Sequence, residues 1–226
     1  MQDEPERSTG QVLTIPLFPL PNAVLFPRAT LPLHIFEERY KVMTADALAG
    51  RRQIAMALLL PGWEKDYHLK PAIDSVVCVG NILSWEKLAD GKYNFLLQGC
   101  LRAEIIREMP SSPYRTAEVR PIEQTNVLEI DLTNQRQRLL EMFCGGALGA
   151  TAAGCQVRQI LSSPISTSEA ADLIAFNYID NVELKQSLLR DEDTVRRVGR
   201  VIHALEIELP ILEASCRRHQ SDFSLN

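Results

Sequence analysis

The feature that most constrains this fold is an apolar stretch near the N-terminus, residues 12–36, that prolines interrupt at short intervals. The prolines are Pro16, Pro19, Pro21, Pro27 and Pro32. Proline has no backbone N–H, so it removes a donor from a β-ladder and is confined to sheet edges, strand ends and bulges. The stretch therefore predicts strands that are short, bent or at an edge, over residues 12–17, 23–26 and 31–36.

One helix and then a series of strands are expected after this stretch. The helix covers 37–48, where Tyr40, Met43 and Ala47 recur at helical spacing, and Gly50 follows as its stop. Further strands are expected at 53–60, 76–85, 93–98, 101–107 and 116–122, with a polar loop at 61–71. Six or more short strands separated by turns predict a small closed or half-closed barrel.

Two glycines indicate where the strands turn or bend. Asp90-Gly91 predicts a hairpin, because this dipeptide tolerates the positive φ of a type I′ turn. Gly99, on the returning strand, predicts a bulge or bend.

The second half of the sequence is typical of helices, expected at about 133–148, 170–179, 182–189 and 193–216. Ser166 and Glu169 form a capping box, and Asn181 is a good N-cap. The last helix carries an a/d seam at Val195, Val198, Ile202, Leu205, Leu209 and Leu212. We expect the seam to pack within its own domain, with a homodimer through 193–216 as the alternative. Pro210 is expected to kink or end the helix near Leu209.

Charge and composition exclude several classes of partner. The net charge of -5 and the pI near 5.5 argue against general nucleic-acid binding and against an anionic membrane surface. No apolar run approaches the ~18 residues of a membrane span, and the polar N-terminus lacks the pattern of a signal peptide. The five cysteines are widely spaced, so we expect reduced thiols in a cytoplasmic protein.

No catalytic motif stands out in the sequence. There is no P-loop, no Gly-x-Ser-x-Gly elbow and no His-Glu-x-x-His. Cys216 and His219 form a single Cys-x-x-His pair, whereas structural zinc takes four ligands. Cys100 and His34 could meet as a thiol–imidazole pair, but a core thiol is the preferred interpretation. We therefore expect a binding module with no catalytic residue, metal or cofactor.

The segment IPLFPL–VLFP–LPLHIFEERY, within residues 15–40, resembles the N-terminal substrate-binding domain of the Lon protease family. The resemblance continues through the hairpin sequence LADG at 88–91 and FLLQG at 95–99, and through ADLIA and ELKQSLL in the helical half. It covers residues 14–212, almost the whole chain. The chain ends where the protease would continue into its ATPase and Ser–Lys peptidase domains, so neither activity is carried over.

The resemblance implies an α+β fold, with a β-rich PUA-like pseudobarrel followed by a C-terminal helical bundle that ends in a long helix. We place the barrel at 12–124 and the bundle at 131–216, with flexible tails at 1–11 and 217–226. It also implies a partner: unfolded or degron-bearing polypeptides, or another protein. RNA binding by analogy with PUA-like folds is one alternative, and a small molecule in a groove between barrel and bundle is another.

Exposed aromatic side chains are the candidates for contacting a polypeptide. We select Trp63 and Tyr67 in the polar loop, and Trp85 at the end of a strand. The signature residues are expected to be mostly structural, with the phenylalanines in the core and Glu37 and Arg39 holding backbone or each other. They are Pro16, Phe18, Pro19, Phe26, Pro27, Phe36, Glu37, Arg39, Tyr40, Asp90, Gly91 and Gly99.

Overall fold

The structure is a computed structural model that describes residues 12–66, 69–110, 113–144, 149 and 151–223, without the side chains of Asp66 and 210–223. It comprises two compact units. The first contains the chain up to Asn22 together with Leu31–Ile122, and the second contains Ala23–Thr30 together with residues from Glu123 onward.

The first unit is built on a six-stranded sheet in the order β2-β5-β4-β3-β1-β6. Its strands are β1 (Leu13–Leu20), β2 (Thr30–Ile35), β3 (Gln53–Leu58), β4 (Val76–Lys87), β5 (Tyr93–Met109) and β6 (Arg115–Pro121). A further pairing of β5 with β6 closes the sheet on itself. The expectation of a β-rich pseudobarrel followed by helices is confirmed.

Small and β-branched side chains fill the interior of this barrel. The central cluster consists of Ile15, Leu17, Ala55, Ala57, Val77, Val79, Ala103, Ala117 and Val119, all almost fully buried. Four of the nine are alanines, whose small side chains allow the strands to curve around a narrow interior. β1 and β3 pair in parallel, and the β1–β6, β3–β4, β4–β5 and β5–β6 pairs are antiparallel.

The hairpin between β4 and β5 forms where Asp90-Gly91 predicts it, but its turn is of a different type. Gly91 has φ of 80°, whereas Asp90 is not among the residues with positive φ, and a type I′ turn requires both. The Gly91 N–H donates to the Leu88 carbonyl, and the Leu88 N–H donates to the Lys92 carbonyl. This geometry fits a three-residue loop that ends in a left-handed glycine.

The returning strand is one long strand, whereas the sequence predicts two. β5 runs from Tyr93 to Met109 without interruption. The register against β4 shifts between Val79 and Gly80, opposite Leu101 and Gly99, so the bulge predicted at Gly99 is present. A bulge accommodates the bend without ending the strand, which is why the two predicted strands are continuous.

Helix α1 (Glu38–Ala49) begins one residue after Glu37, which occupies the N-cap position without a side-chain cap bond. Gly50 follows the helix as predicted, although its φ of -107° is not left-handed. The left-handed residue is Arg52, with φ of 58°. The helix packs against β1 and β3.

The segment Ala23–Thr30 differs from its prediction. Residues 23–26 form no strand, and the segment belongs to the helical unit. Arg28 adopts φ of 65°, and the Ala29 N–H donates to the Phe26 carbonyl, so the chain turns sharply here. Arg28 forms an ion pair with Glu169 of the same unit. The strand predicted at 23–26 was wrong because a short apolar run can be buried in a turn as well as in a strand.

The second unit contains five helices in its described part. They are α2 (Thr133–Cys144), α3 (Ala152–Ser162), α4 (Thr167–Tyr178), α5 (Val182–Arg190) and α6 (Thr194–Phe223). Ser166 caps α4 in a reciprocal capping box with Glu169, and Asn181 caps α5, both as predicted. Helix α3 was not predicted, because its sequence begins in a run of small residues; Thr151 caps it by accepting from the Gly154 N–H.

Pro210 was expected to kink or end helix α6 near Leu209, and the helix does not end there, because it continues to Phe223. Proline removes one backbone hydrogen bond, but its fixed φ is helical and the turns on both sides hold the helix. The buried face of α6 also differs from the predicted a/d seam, because Val195 is 43% exposed. The buried stripe is Thr194, Arg197, Val198, Val201, Ala204, Leu205 and Leu209.

Candidate functional site

Several large apolar side chains are exposed on three neighbouring strands of the barrel unit. They are Phe36 (61% exposed), Leu83 (53%), Trp85 (48%) and Leu96 (39%). Phe36 directly follows β2, Leu83 and Trp85 lie on β4, and Leu96 lies on β5, which pairs with both strands. Exposed apolar side chains grouped in this way are typical of sites that bind other proteins.

An open groove of about 440 Å³ runs along these strands. We call it the Trp85 groove, and its lining residues are Pro32, Leu33, His34, Ser84, Trp85, Glu86, Asn94, Phe95 and Leu96. Trp85 pairs with Phe95 and Ser84 pairs with Leu96, so these four lining residues lie on the paired strands β4 and β5. The groove therefore rests on paired strands and does not depend on a loop for its shape.

Aromatic contacts organise the groove and extend it. His34 Nδ1 lies 2.6 Å from Asn94 Oδ1, which holds the imidazole against β5. The His34 ring stacks with the Phe36 ring at 6.2 Å between centroids, so Phe36 prolongs the apolar surface beyond the groove. Trp85 lies 6.3 Å from the Tyr93 ring, centroid to centroid, which restricts the indole from one side.

The groove carries little charge. Glu86 is the one Asp, Glu, Lys or Arg side chain among its lining residues. Lys87 is directed toward the Tyr93 ring, with its ammonium 5.5 Å from the ring centroid. An apolar surface with one carboxylate and three other polar side chains, His34, Ser84 and Asn94, can bury apolar groups and bond peptide amides.

Of the three aromatic residues predicted to contact a polypeptide, Trp85 lies in the groove. Trp63 begins a 3₁₀ turn, Trp63–Asp66, is half-buried, and does not line the groove. Tyr67 lies outside the described residues.

Several signature residues are buried or half-buried. Phe18, Pro19, Phe26, Pro27 and Tyr40 are buried, and Pro16 is half-buried. The Phe18 and Tyr40 rings meet edge to face at 4.6 Å between centroids. Glu37 and Arg39 pair with each other, with Arg39 Nη2 at 2.9 Å from Glu37 Oε2.

Phe36 is the exception among the signature residues, because the core position expected for it is wrong. In an extended strand, alternate residues share a face. Phe36 therefore shares a face with His34 and Pro32, both of which are exposed, and not with buried Ile35. The sequence signal for the exposure of Phe36 was the polar His34, two residues earlier, and this signal was missed. Leu96 was not selected from the sequence either.

Groups that could support catalysis are not assembled in the described residues. His34 bonds Asn94, whereas the Cys100 thiol donates to the Gln98 carbonyl at 3.4 Å, so the thiol–imidazole pair does not form. No cluster of three or more His, Cys, Asp or Glu side chains suited to a metal ion occurs in the described part of the chain. The side chains of Cys216 and His219 lie outside it. None of the described helices has the length and apolarity needed to cross a bilayer.

Residues 14–206 match the family model described as the ATP-dependent protease La (LON) substrate-binding domain. Among curated proteins, the chain is 27% identical over 218 residues to a Lon protease of Dictyoglomus thermophilum and 28% identical over 207 residues to that of Trichlorobacter lovleyi. These alignments cover 94% and 90% of this chain but 26% and 25% of the relatives. The chain thus spans about a quarter of their length.

Two solved structures share the fold. A Lon N-terminal domain protein from Xanthomonas campestris matches with a TM-score of 0.61 at 21% identity, covering 84% of this chain and 98% of that one. The N-terminal domain of the Mycobacterium avium complex Lon protease matches with a TM-score of 0.66 at 16% identity, covering 86% and 98%.

Proposed function

Because this chain belongs to the family of ATP-dependent protease La (LON) substrate-binding domains, we propose that it is a non-catalytic module that recognises polypeptides. It binds apolar segments of unfolded chains in the Trp85 groove. The family match supports the general role of substrate recognition, and the groove supplies a surface suited to it.

The observation that carries this proposal is the exposure of Phe36, Trp85 and Leu96 on or directly beside the paired strands β2, β4 and β5. Folded proteins bury such side chains, whereas unfolded chains expose them. Burying an aromatic side chain against another apolar surface contributes roughly 1.5–3 kcal/mol. Two or three such contacts give useful affinity without any specific sequence, which suits a module that must accept many substrates.

The composition of the groove favours protein over RNA as its ligand. None of its described lining residues is Lys or Arg, and Glu86 places a negative charge there, so phosphate groups would be repelled. Stacking of bases on Trp85 without a cationic groove gives little RNA affinity. The proposal includes action inside the cytoplasm, where unfolded chains arise during synthesis and stress.

The test is the affinity for a permanently unfolded protein, reduced and alkylated so that it cannot refold, measured by fluorescence anisotropy. Trp85→Ser and Phe36→Ser should each raise the Kd about tenfold or more, since each removes roughly 1.4 kcal/mol or more of apolar contact. Mass spectrometry of the same mixture should find the unfolded protein uncleaved, as expected of a non-catalytic module.

Ile207→Ser is the matched control, because Ile207 is 59% exposed on α6 and lies outside the groove. It should leave the Kd unchanged. Thermal unfolding of all three variants should match the unsubstituted protein, because the replaced side chains are largely exposed. Equal Kd values for the groove variants and the control would contradict the proposal.

A further inference from the structure

The barrel unit contains a second cavity, of about 260 Å³, that shares no lining residue with the Trp85 groove. We call it the Arg39 cavity. Its walls include Pro19 at the end of β1, Arg39 and Tyr40 at the start of α1, and Tyr114 and Arg115 at the start of β6. It is more enclosed than the groove, so a small ligand could be largely surrounded.

Signature residues line this cavity, which a purely structural role does not require. Pro19, Arg39 and Tyr40 all contribute to its wall. The Arg39 guanidinium carbon lies 4.5 Å from the centroid of the Tyr40 ring, which fixes the cation beside an aromatic wall. The cavity therefore combines a flat apolar surface with a held positive charge.

Three cations, Arg39, Lys70 and Arg115, line the cavity, and none of its described lining residues is Asp or Glu. Their partner carboxylates lie outside the lining. Glu37 Oε2 is 2.9 Å from Arg39 Nη2, while Glu108 bonds Arg115 at 2.6 Å and Lys70 at 3.0 Å. These carboxylates hold the three cationic side chains in place. In each ion pair it is the cationic side chain that lines the cavity.

Tyr114 contributes a polar group of a different kind. Its hydroxyl donates a hydrogen bond to Asp46 Oδ2 at 2.8 Å, so this proton is not available to a ligand in the cavity. Burial and the Asp46 charge raise the pKa of Tyr114 to about 12, so the phenol stays neutral at physiological pH. The three positive charges of Arg39, Lys70 and Arg115 equal the three negative charges of Glu37, Glu108 and Asp46, so the region is neutral overall. The positive charges are the ones at the cavity wall.

From this arrangement we infer that the Arg39 cavity binds a small organic carboxylate that has an apolar or aromatic body. A dry cavity of roughly 150 Å³ holds a benzene ring, so about 260 Å³ accommodates a ring and one carboxylate. The carboxylate lies against Arg39 and Lys70. The body lies between the Tyr40 ring and the prolines that line the cavity, which are Pro19, Pro71, Pro110 and Pro113. The attraction is that of the positive charges on Arg39 and Lys70 for a negative charge, because Nε and Nη2 of Arg39 already bond Glu37.

The experiment is an NMR titration of the ¹⁵N-labelled chain with benzoate, with neutral benzamide as the shape-matched comparison. Benzoate should shift the Nε–H signals of Arg39 and Arg115 saturably, with half-saturation near ~1 mM or below. Benzamide should give at least about fivefold weaker binding. Lys70→Gln should weaken benzoate binding about threefold or more, because it removes one of the three cations, and the 54% exposure of Lys70 means that the fold should tolerate the change.

Lys92→Gln is the matched control, because Lys92 lies on the β4–β5 hairpin and pairs with Asp90. It should leave benzoate binding unchanged. Equal binding of benzamide and benzoate, or the absence of a saturable shift, would overturn the inference. The result is independent of the proposed function, since polypeptide binding in the Trp85 groove involves none of these residues.

Two sources of the carboxylate are then separated with a short peptide that ends in phenylalanine. If the form with a free C-terminal carboxylate shifts the Arg39 signal and its amidated form does not, the ligand includes polypeptide C-termini. If benzoate binds but neither peptide does, the site takes free organic acids. Both results agree with a carboxylate site.

Discussion

At the scale of single residues, Asp191 holds together the junction between α5 and α6. Its side chain is 2% exposed and accepts hydrogen bonds from Arg196 at 2.6 Å and from Arg200 at 3.1 Å. Burial raises the pKa of the Asp191 carboxyl, but these hydrogen bonds outweigh burial and hold the pKa below its ordinary value. The folded state therefore favours the ionised carboxylate.

Because the pKa of Asp191 is lower in the folded state, the free energy of unfolding should depend on pH. A carboxyl whose pKa is lower in the folded state stabilises the fold above its unfolded pKa, near 3.9, and this contribution is lost as pH falls through the folded value. Asp191→Asn should lower the free energy of unfolding at neutral pH by about 1–3 kcal/mol, measured by urea denaturation. The difference should shrink below about pH 4.

The surface substitution Asp131→Asn serves as the control for Asp191, because Asp131 is exposed. It should change the free energy of unfolding by less than about 0.5 kcal/mol at either pH. A difference between Asp191→Asn and the unsubstituted protein that persists undiminished at low pH would show that the carboxylate charge is not the cause.

Single residues also show where sequence reasoning succeeds and fails. Phe26 and Phe36 are both signature phenylalanines, yet Phe26 is fully buried and Phe36 is 61% exposed. Hydrophobicity alone predicts burial for both. The environment of Phe26 depends on helices far away in the sequence, whereas the exposure of Phe36 follows from the strand alternation that it shares with His34.

At the scale of elements, Gly91 and Gly199 differ in whether their positions tolerate a side chain. Gly91 ends the β4–β5 turn with φ of 80°, a conformation that strains a residue with a Cβ atom. Gly199 lies in α6, exposed, with nothing within 4 Å of the position that a Cβ atom would occupy. The same substitution should therefore have opposite effects at the two sites.

Gly91→Ala should lower the free energy of unfolding by about 1–2 kcal/mol, because alanine disfavours the left-handed region. Gly199→Ala should raise it by up to about 1 kcal/mol, because alanine is the better helix former and restricts the unfolded chain. Thermal and urea unfolding of both variants provide the measurement. Destabilisation by Gly199→Ala would indicate that α6 makes a close contact at this position.

The elements that the sequence predicts well are those with local signals. The capping box of Ser166 and Glu169 and the N-cap of Asn181 depend on residues only a few positions apart. Helix α3 has no such signal in its small-residue start, and the type of the hairpin turn depends on backbone angles that Asp90 permits but does not impose. Local chemistry therefore locates most elements but not their exact geometry.

At the scale of the whole chain, the strand predicted at 23–26 failed because the place of this segment depends on contacts with distant parts of the sequence. Residues 23–30 belong to the helical unit although they lie between two strands of the barrel unit, β1 and β2. The Arg28–Glu169 ion pair is part of that arrangement. A local pattern cannot predict such contacts, whereas the resemblance to a family predicted the order of barrel and helices.

The central claim, that the Trp85 groove binds apolar polypeptide segments, can be tested by tryptophan fluorescence. The chain contains two tryptophans, so Trp63→Phe leaves Trp85 as the sole source of emission, and Trp85→Phe leaves Trp63. Each variant is titrated with an unstructured peptide rich in Phe and Leu, and with a counterpart in which Ser replaces the apolar residues.

The account predicts a saturable blue shift of the Trp85 emission with the Phe- and Leu-rich peptide, because bound apolar side chains displace water from the indole. The Ser-substituted peptide should produce no shift, and the emission of Trp63 should not change with either peptide. A peptide-dependent shift of Trp63 with none at Trp85 would contradict the assignment of the binding surface to the groove.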